Sequence, residues 1–295
     1  RSSSASSQGV SLAPVSLCAP SARTAPIVRF VVIARTILQM SASLYPPSRP
    51  QSIGEVLDSS FRILRATLVK SLPYSILATL AGQLPNIQAL ARGRPLQQPD
   101  TADPGWWTAY AVGLLCTILL WSAMILRQRA MAEGAPVSAR AELAEALRRM
   151  PALVLLVVIA VVVVGLGLIL FVLPGLYLGI ALSLSWPALM LTRRGVVDAL
   201  RYSLRLVRGN WWRVTAIYVT GTAVVLAIYG VALMLATFIA AFAGAEDVAL
   251  VTALLAVAIV ALGAVAWPFY SALILALFGE LQVRREGIHL EQRIG

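Results

Sequence analysis

Between Arg149 and Arg193 the chain runs for 43 residues without a charged side chain, and residues 214–245 and 248–279 are uncharged runs of 32 each. A bilayer core about 30 Å thick is crossed by roughly 20 apolar residues in a helix, so each run exceeds what a buried soluble helix needs. The fold class expected is all-α, a polytopic membrane protein. Hydrophobic residues fill 59% of the 295 positions and charged residues 13%, too little charge to coat a soluble surface. A net charge of +11 would suit nucleic acid, but the arginines cluster just outside the apolar segments, so no nucleic-acid partner is expected.

Six transmembrane segments are expected, at about 71–90, 106–126, 151–173, 175–192, 214–242 and 248–279. The long uncharged run is divided at Leu173-Pro174-Gly175, because proline lacks the donor for a continuing helix and glycine accepts a tight turn. The last two segments are divided at Gly244 to Asp247. Orientation follows from the basic residues. The connections at 51–73, 127–149 and 193–213 and the tail carry seventeen, and the opposite side carries Arg92 and Arg94. That bias places both termini in the cytoplasm.

Each pair of segments is preceded by an amphipathic stretch. In the first, Ile53, Leu57, Phe61, Leu64 and Leu68 recur at helical spacing, with Asp58, Arg62 and Arg65 elsewhere on the wheel. In the middle one, Leu143 and Leu147 are expected inside, and Glu142, Glu145, Arg148 and Arg149 outside. In the last, Val196 or Val197, Leu200, Leu204 and Val207 oppose Arg201, Arg205 and Arg208. Such helices suit a headgroup boundary. The second segment of each pair ends alike, in Trp121-Ser-Ala-Met-Ile-Leu, Trp186-Pro-Ala-Leu-Met-Leu and Trp267-Pro-Phe-Tyr-Ser-Ala-Leu-Ile-Leu. The pattern reads as three repeats of amphipathic helix plus hairpin, over about 51–130, 137–194 and 196–285.

Three regions are expected: 1–50 as a disordered or spurious N-terminal extension, 51–285 as the six-helix domain, and 286–295 as a cytoplasmic tail. The first is Ser- and Ala-rich, lacks the clean apolar core of a signal peptide, and contains Met40 as a candidate start.

Catalytic chemistry is not visible. The single histidine is His289, and Cys18 and Cys116 lie far apart, so neither a metal set nor a nucleophile–base pair can be composed. A phosphate-binding glycine loop is also missing. No cofactor, metal site or enzyme activity is expected. The last four apolar segments carry no ionisable residue away from their ends, which weighs against a proton-driven pump. Their hydroxyl residues, among them Tyr177, Ser183, Ser185, Tyr218, Thr222 and Tyr229, read as helix–helix hydrogen bonding, with a polar lining as the alternative. Pro174 and Gly175 are expected to form a turn, and Pro187 and Pro268 to kink their helices. The densest polar feature is Arg201, Arg205, Arg208, Trp211, Trp212 and Arg213, a candidate site for anionic headgroups or a protein partner.

The segments Leu173-Pro-Gly-Leu-Tyr-Leu, Trp186-Pro-Ala and Asp198-Ala-Leu-Arg-Tyr-Ser-Leu-Arg-Leu-Val-Arg-Gly-Asn-Trp-Trp carry a resemblance. Over residues 51–285 the chain resembles uncharacterised bacterial six-helix inner-membrane proteins. These are related to the membrane domain attached to some glycerophosphoryl diester phosphodiesterases and to YciC-like proteins. The resemblance implies an inner-membrane location and transfers no catalytic residue. The functional expectation is a non-enzymatic membrane module that organises lipid or a protein partner at the cytoplasmic face. The alternative is a transporter or channel for a small or lipidic solute.

Overall fold

A computed structural model describes residues 44–93, 102–242 and 248–294, with side chains described except at 240, 242, 248–256 and 286–294. The expectations for residues 1–43 and for the Gly244–Asp247 turn lie outside the described residues.

All regular secondary structure among the described residues is helical: α1 (Ile53–Gly82), α2 (Leu84–Ala91), α3 (Pro104–Ala132), α4 (Ala139–Arg148), α5 (Met150–Leu170), α6 (Val172–Leu182), α7 (Ser185–Thr192), α8 (Val196–Val207), α9 (Trp211–Phe242) and α10 (Val248–Ile294). Local chemistry fixes the starts. Ser52 caps α1: its Oγ accepts from the Glu55 N–H at 3.3 Å while the Glu55 carboxylate accepts from the Ser52 N–H at 2.6 Å. Asp103 accepts from the Gly105 N–H at 2.9 Å, and Pro104 fills the first turn of α3, where no helical donor is required.

Five stretches are long and apolar enough to cross a membrane: Pro104–Ala132, Met150–Leu170, Val172–Thr192, Trp211–Ile239 and Val257–Arg285. The expected first segment, 71–90, is not among them. Its Ser71, Ser75, Thr79, Gln83 and Asn86 dilute the apolar character, and its first half is continuous with the amphipathic stretch in α1, through Pro73.

One boundary differs from expectation. The α5–α6 turn is at Phe171, whose backbone is extended (φ −158°, ψ 138°), and Pro174 and Gly175 lie inside the first turns of α6. Proline is tolerated there because that position needs no helical donor. Gly175 permits close packing instead of forming the turn: a Cβ on it would fall 2.5 Å from the Leu168 backbone nitrogen. Within residues 44–50, Tyr45 is buried and Leu44 packs against the core, while Pro46 and Ser48 to Pro50 are exposed. The Leu44 N–H donates to the Ala132 carbonyl at 2.8 Å, and the Tyr45 ring fills the space beside Gly279. At the other end, α10 runs on into the expected tail, to Ile294.

Pro187 lies in the first turn of α7, after an interruption at Ser183-Leu184, whereas Pro268 is carried inside the single helix α10. The core is built largely from the three similar segment ends. Ala123, Ala188 and Ala272 are each fully buried, and Met124, Leu189 and Leu273 beside them are 1% exposed or less. Trp121 and Trp267 meet edge to face at 5.0 Å between ring centroids.

Candidate membrane-surface face

In all three amphipathic stretches small residues share the protein-facing side with larger ones. In α1 the buried positions are Val56, Ser59, Ser60, Ile63, Thr67 and Ser71, while Ile53 and Phe61 are exposed. In α4 Glu142 and Ala146 are buried and Leu147 is 61% exposed, the reverse of the expected assignment for Glu142 and Leu147. In α8 Ala199, Ser203, Leu206 and Val207 are buried, and Val197 and Leu204 are exposed beside Arg201, Arg205 and Arg208. The small side chains allow close backbone approach between the helices.

Three ion-pair clusters, two of them built on a buried carboxylate, involve the arginines. Arg127 Nε donates to the Glu142 carboxylate at 2.8 Å, Tyr74 OH donates to the same oxygen at 2.9 Å, and the guanidinium lies 4.7 Å from the Tyr74 ring centroid. Arg148 and Arg149 both bind Glu145 at 2.6 Å. Burial pushes the Glu145 carboxyl up, but hydrogen bonds from Arg148 and Arg149, with their charges, outweigh it and leave the group below its ordinary value. In the third cluster Glu280, fully buried, pairs with Arg284 at 2.7 Å and Arg213 at 3.3 Å, and both arginines also donate to the Gln51 carbonyl.

Other arginines cap helix ends. Arg129 donates to the Leu191 carbonyl at 2.9 Å and Arg149 to that of Leu189, at the C-terminus of α7, where carbonyls lack helical partners. Arg285 does the same for the Arg205 and Arg208 carbonyls after α8.

The expected six-residue site therefore divides. Arg213 is committed to Glu280 and Gln51. Trp211 packs inward, stacked on Tyr177 with centroids 5.7 Å apart, and its indole N–H donates to the Tyr177 carbonyl at 3.4 Å. Trp212, 79% exposed, meets Trp211 edge-on at 4.7 Å. Arg201, Arg205 and Arg208 are exposed, and none pairs with a carboxylate among the described residues. The exposed face is Arg201, Arg205, Arg208 and Trp212, with Val197 and Leu204 beside them, and the Arg205 guanidinium lies 5.9 Å from the Tyr202 ring centroid. Beneath it Tyr202 is held by Arg194, 4.1 Å from its ring centroid, and by Gln282, which donates to its hydroxyl at 3.2 Å. Glu280 anchors the Arg213 and Arg284 pair and has no role predicted from sequence. Its only signal there is that it ends a 32-residue uncharged run.

Several of the hydroxyl residues make structural hydrogen bonds, whereas the buried Tyr218 hydroxyl has no hydrogen-bond partner among the described residues. Ser183 and Ser185 donate to carbonyls of their own helical turns, and Tyr270 donates to Thr222 at 2.9 Å. One cavity lies among Phe61, Val225, Tyr229 and Phe269; another follows the α5–α6 hairpin past Val157, Val164, Gly179 and Trp186. Both linings are dominantly apolar. No group of three or more metal-ligating side chains occurs among the described residues.

The comparisons agree with a membrane protein of unassigned activity. A family model described as an uncharacterised protein family (UPF0259) matches residues 107–265, more than half of the chain. A UPF0259 membrane protein of Serratia proteamaculans (strain 568) is 31% identical over 97 residues, 33% of this chain and 39% of that protein, so the match spans well under half of the relative. No solved structure matches. The matched region takes in α5 to α9 and the whole arginine face, and on that span the chain belongs to the uncharacterised family UPF0259.

Proposed function

We propose that this protein is a non-enzymatic module of the bacterial inner membrane whose α8 face gathers anionic headgroups at the cytoplasmic surface. The observation that carries the reading is the contrast among its arginines. Arg127, Arg149, Arg213 and Arg284 are paired and partly buried, whereas Arg201, Arg205 and Arg208 stand exposed among Val197, Leu204 and Trp212. An amphipathic surface of that composition seats apolar groups among acyl chains and guanidinium groups against phosphates. A protein partner with an acidic surface would use the same groups.

The finer architecture belongs to this proposal: both termini on the arginine side and three units of amphipathic helix plus apolar hairpin. The distal half of α1, with α2, serves as the first arm of the first hairpin. What supports this is its seat among apolar helices, since Ser75 donates to the Ala264 carbonyl in α10, and a Cβ on Gly113 of α3 would fall 2.4 Å from the Ala81 carbonyl. Kinship with the phosphodiesterase-associated membrane domain and with YciC-like proteins rests on the Pro174 and Trp186 motifs and the 198–212 segment, and brings no catalytic group. Transport through the hairpins draws less support, because the Ser183 and Ser185 hydroxyls bond within their own helical turns and the cavities are apolar.

The test is lipid retention. Each Arg near an anionic surface contributes about 1 kcal/mol, so replacing Arg201, Arg205 and Arg208 together by Gln should weaken apparent affinity for anionic lipid roughly a hundredfold, at tenfold per about 1.4 kcal/mol. Native mass spectrometry against a phosphatidylglycerol titration would read this. Unchanged retention in a folded variant would overturn the reading.

A further inference from the structure

We propose that the cavity along the α5–α6 hairpin is a groove for one acyl chain of an anionic phospholipid, with the ester carbonyl at Trp186 and the methyl end toward Phe171. None of its lining residues belongs to α8, and the inference does not rest on the headgroup reading above.

The hairpin's register sets the length of the groove. Gly167 lies against Gly175, and Val164 lies beside Gly179. Continued past the break at Ser183-Leu184, that antiparallel pairing brings Trp186 to the first half of α5, where it lines the groove with Leu156 and Val157. Gly165 and Leu168 line the other end. From Leu156 to Leu168 is twelve residues, about 18 Å of helix. The hydrocarbon of one leaflet is about 15 Å deep, half of the bilayer core, so the groove matches one acyl chain. Its volume is about 500 Å³, inside the range of roughly 300–1,000 Å³ usual for small-molecule sites. Val161, 65% exposed, and Leu168, 46% exposed, show that it opens outward. Gly165 leaves the space clear, because a Cβ built there meets nothing within 4 Å.

The two ends differ in chemistry. At the first, the Trp186 indole N–H is buried and has no hydrogen-bond partner among the described residues, although a buried indole ordinarily finds one. The neighbouring Ser183 and Ser185 hydroxyls already donate to carbonyls of their own turns. That end therefore offers an unspent donor, and an ester carbonyl, which only accepts, complements it. Leu156 is seven residues from Arg149, about 10 Å. There Arg148 and Arg149 outnumber Glu145, which both bind, and the excess positive charge favours a phosphate beyond the ester. At the far end Ile169, Phe171 and Leu173 are 82%, 71% and 78% exposed, in a run without charge. That end suits hydrocarbon alone.

Phosphatidylglycerol carrying a diazirine midway along one acyl chain, titrated into the protein in detergent, tests the groove by photocrosslinking and peptide mapping. Adducts should concentrate between Leu156 and Leu168, several-fold above Leu226 and Met234 of α9, which are exposed and outside the groove. Gly165→Leu should fill the space and lower the hairpin adducts several-fold, with thermal unfolding confirming the fold. Val161→Trp fills it from an exposed position should the first variant fold poorly. Trp186→Phe keeps a ring and removes the N–H, and should raise the lipid concentration for half-maximal labelling roughly fivefold. Adducts spread evenly over α5 and α9 would mean bulk lipid contact only and would overturn the groove. Full labelling in a folded Gly165→Leu variant, or an unchanged midpoint in Trp186→Phe, would overturn it as well. Concentrated hairpin adducts together with unchanged lipid retention in the triple Arg→Gln variant would overturn only the headgroup reading. Evenly spread adducts with retention lost in that variant would overturn only the groove.

Discussion

Ser75 donates a 2.8 Å hydrogen bond from its hydroxyl to the carbonyl of Ala264, the carbonyl four residues before Pro268. Proline has no N–H to return to that position, so the helix interior is left with an acceptor that another element must satisfy. Ser75, fully buried on α1, supplies the donor. Ser75→Ala should therefore lower stability by about 1–3 kcal/mol, the usual cost of leaving a buried polar group unpaired. In a Pro268→Ala background the helix regains its own donor, and the loss from Ser75→Ala should shrink. Thermal unfolding of the two single variants and the double variant reads the coupling; equal losses in both backgrounds would show that the pairing is incidental.

Glu280 gives the sharpest contrast between structural and surface arginines. It is fully buried between Arg213 and Arg284. Removing one partner of such a pair leaves a poorly compensated charge and typically costs 3–5 kcal/mol. Arg213→Gln is expected at the lower end, about 3 kcal/mol, because Arg284 remains. Arg201→Gln should change stability by about 0.5 kcal/mol or less, as exposed sites without partners do. Comparable destabilisation of the two variants in the same detergent would contradict the division of the arginine face.

The pH response of the α4–α5 junction follows from Glu145. Its folded-state carboxyl is held below its ordinary value by Arg148 and Arg149, so it binds protons less readily than in the unfolded chain. Its contribution is therefore present above the unfolded value, near 4.3 for a glutamate, and is lost as pH falls through the lower folded value. Glu145→Gln should be less stable than the parent at pH 7, and the difference should close on acidification through the region below about pH 4.3. A gap that stayed constant down to pH 3 would mean that the carboxylate contributes no charge-dependent stabilisation.

The helices and their apolar runs were legible in the chain because hydrocarbon tolerates charge so poorly. The faces of the amphipathic helices were not. In the middle stretch Leu147 is expected inside and Glu142 outside, yet Glu142 and Ala146 take the packed side and Leu147 is exposed. Arg213 was indistinguishable from Arg208 in sequence because its partner Glu280 is 67 positions away. The turn was displaced to Phe171 for a related reason: Pro174 starts a helix as readily as it ends one.

The hairpin's closeness depends on two glycines at its contact. A Cβ on Gly167 would lie 2.9 Å from the Gly175 Cα, and one on Gly175 would lie 2.5 Å from both the Leu168 nitrogen and its Cγ. Backbone atoms cannot withdraw as a side-chain tip can, so Gly175→Ala should force α5 and α6 apart. Overpacking of this kind costs about 1–3 kcal/mol. Gly165 is two residues from Gly167 but faces open space, with nothing within 4 Å of a built Cβ. Gly165→Ala should be neutral or favourable by up to about 1 kcal/mol, through helix propensity alone. The pair can be read by thermal unfolding together with distances between spin labels placed on α5 and α6. Gly175→Ala should lengthen that distance and Gly165→Ala should leave it unchanged; a hairpin that tolerated both equally would not be held by this contact.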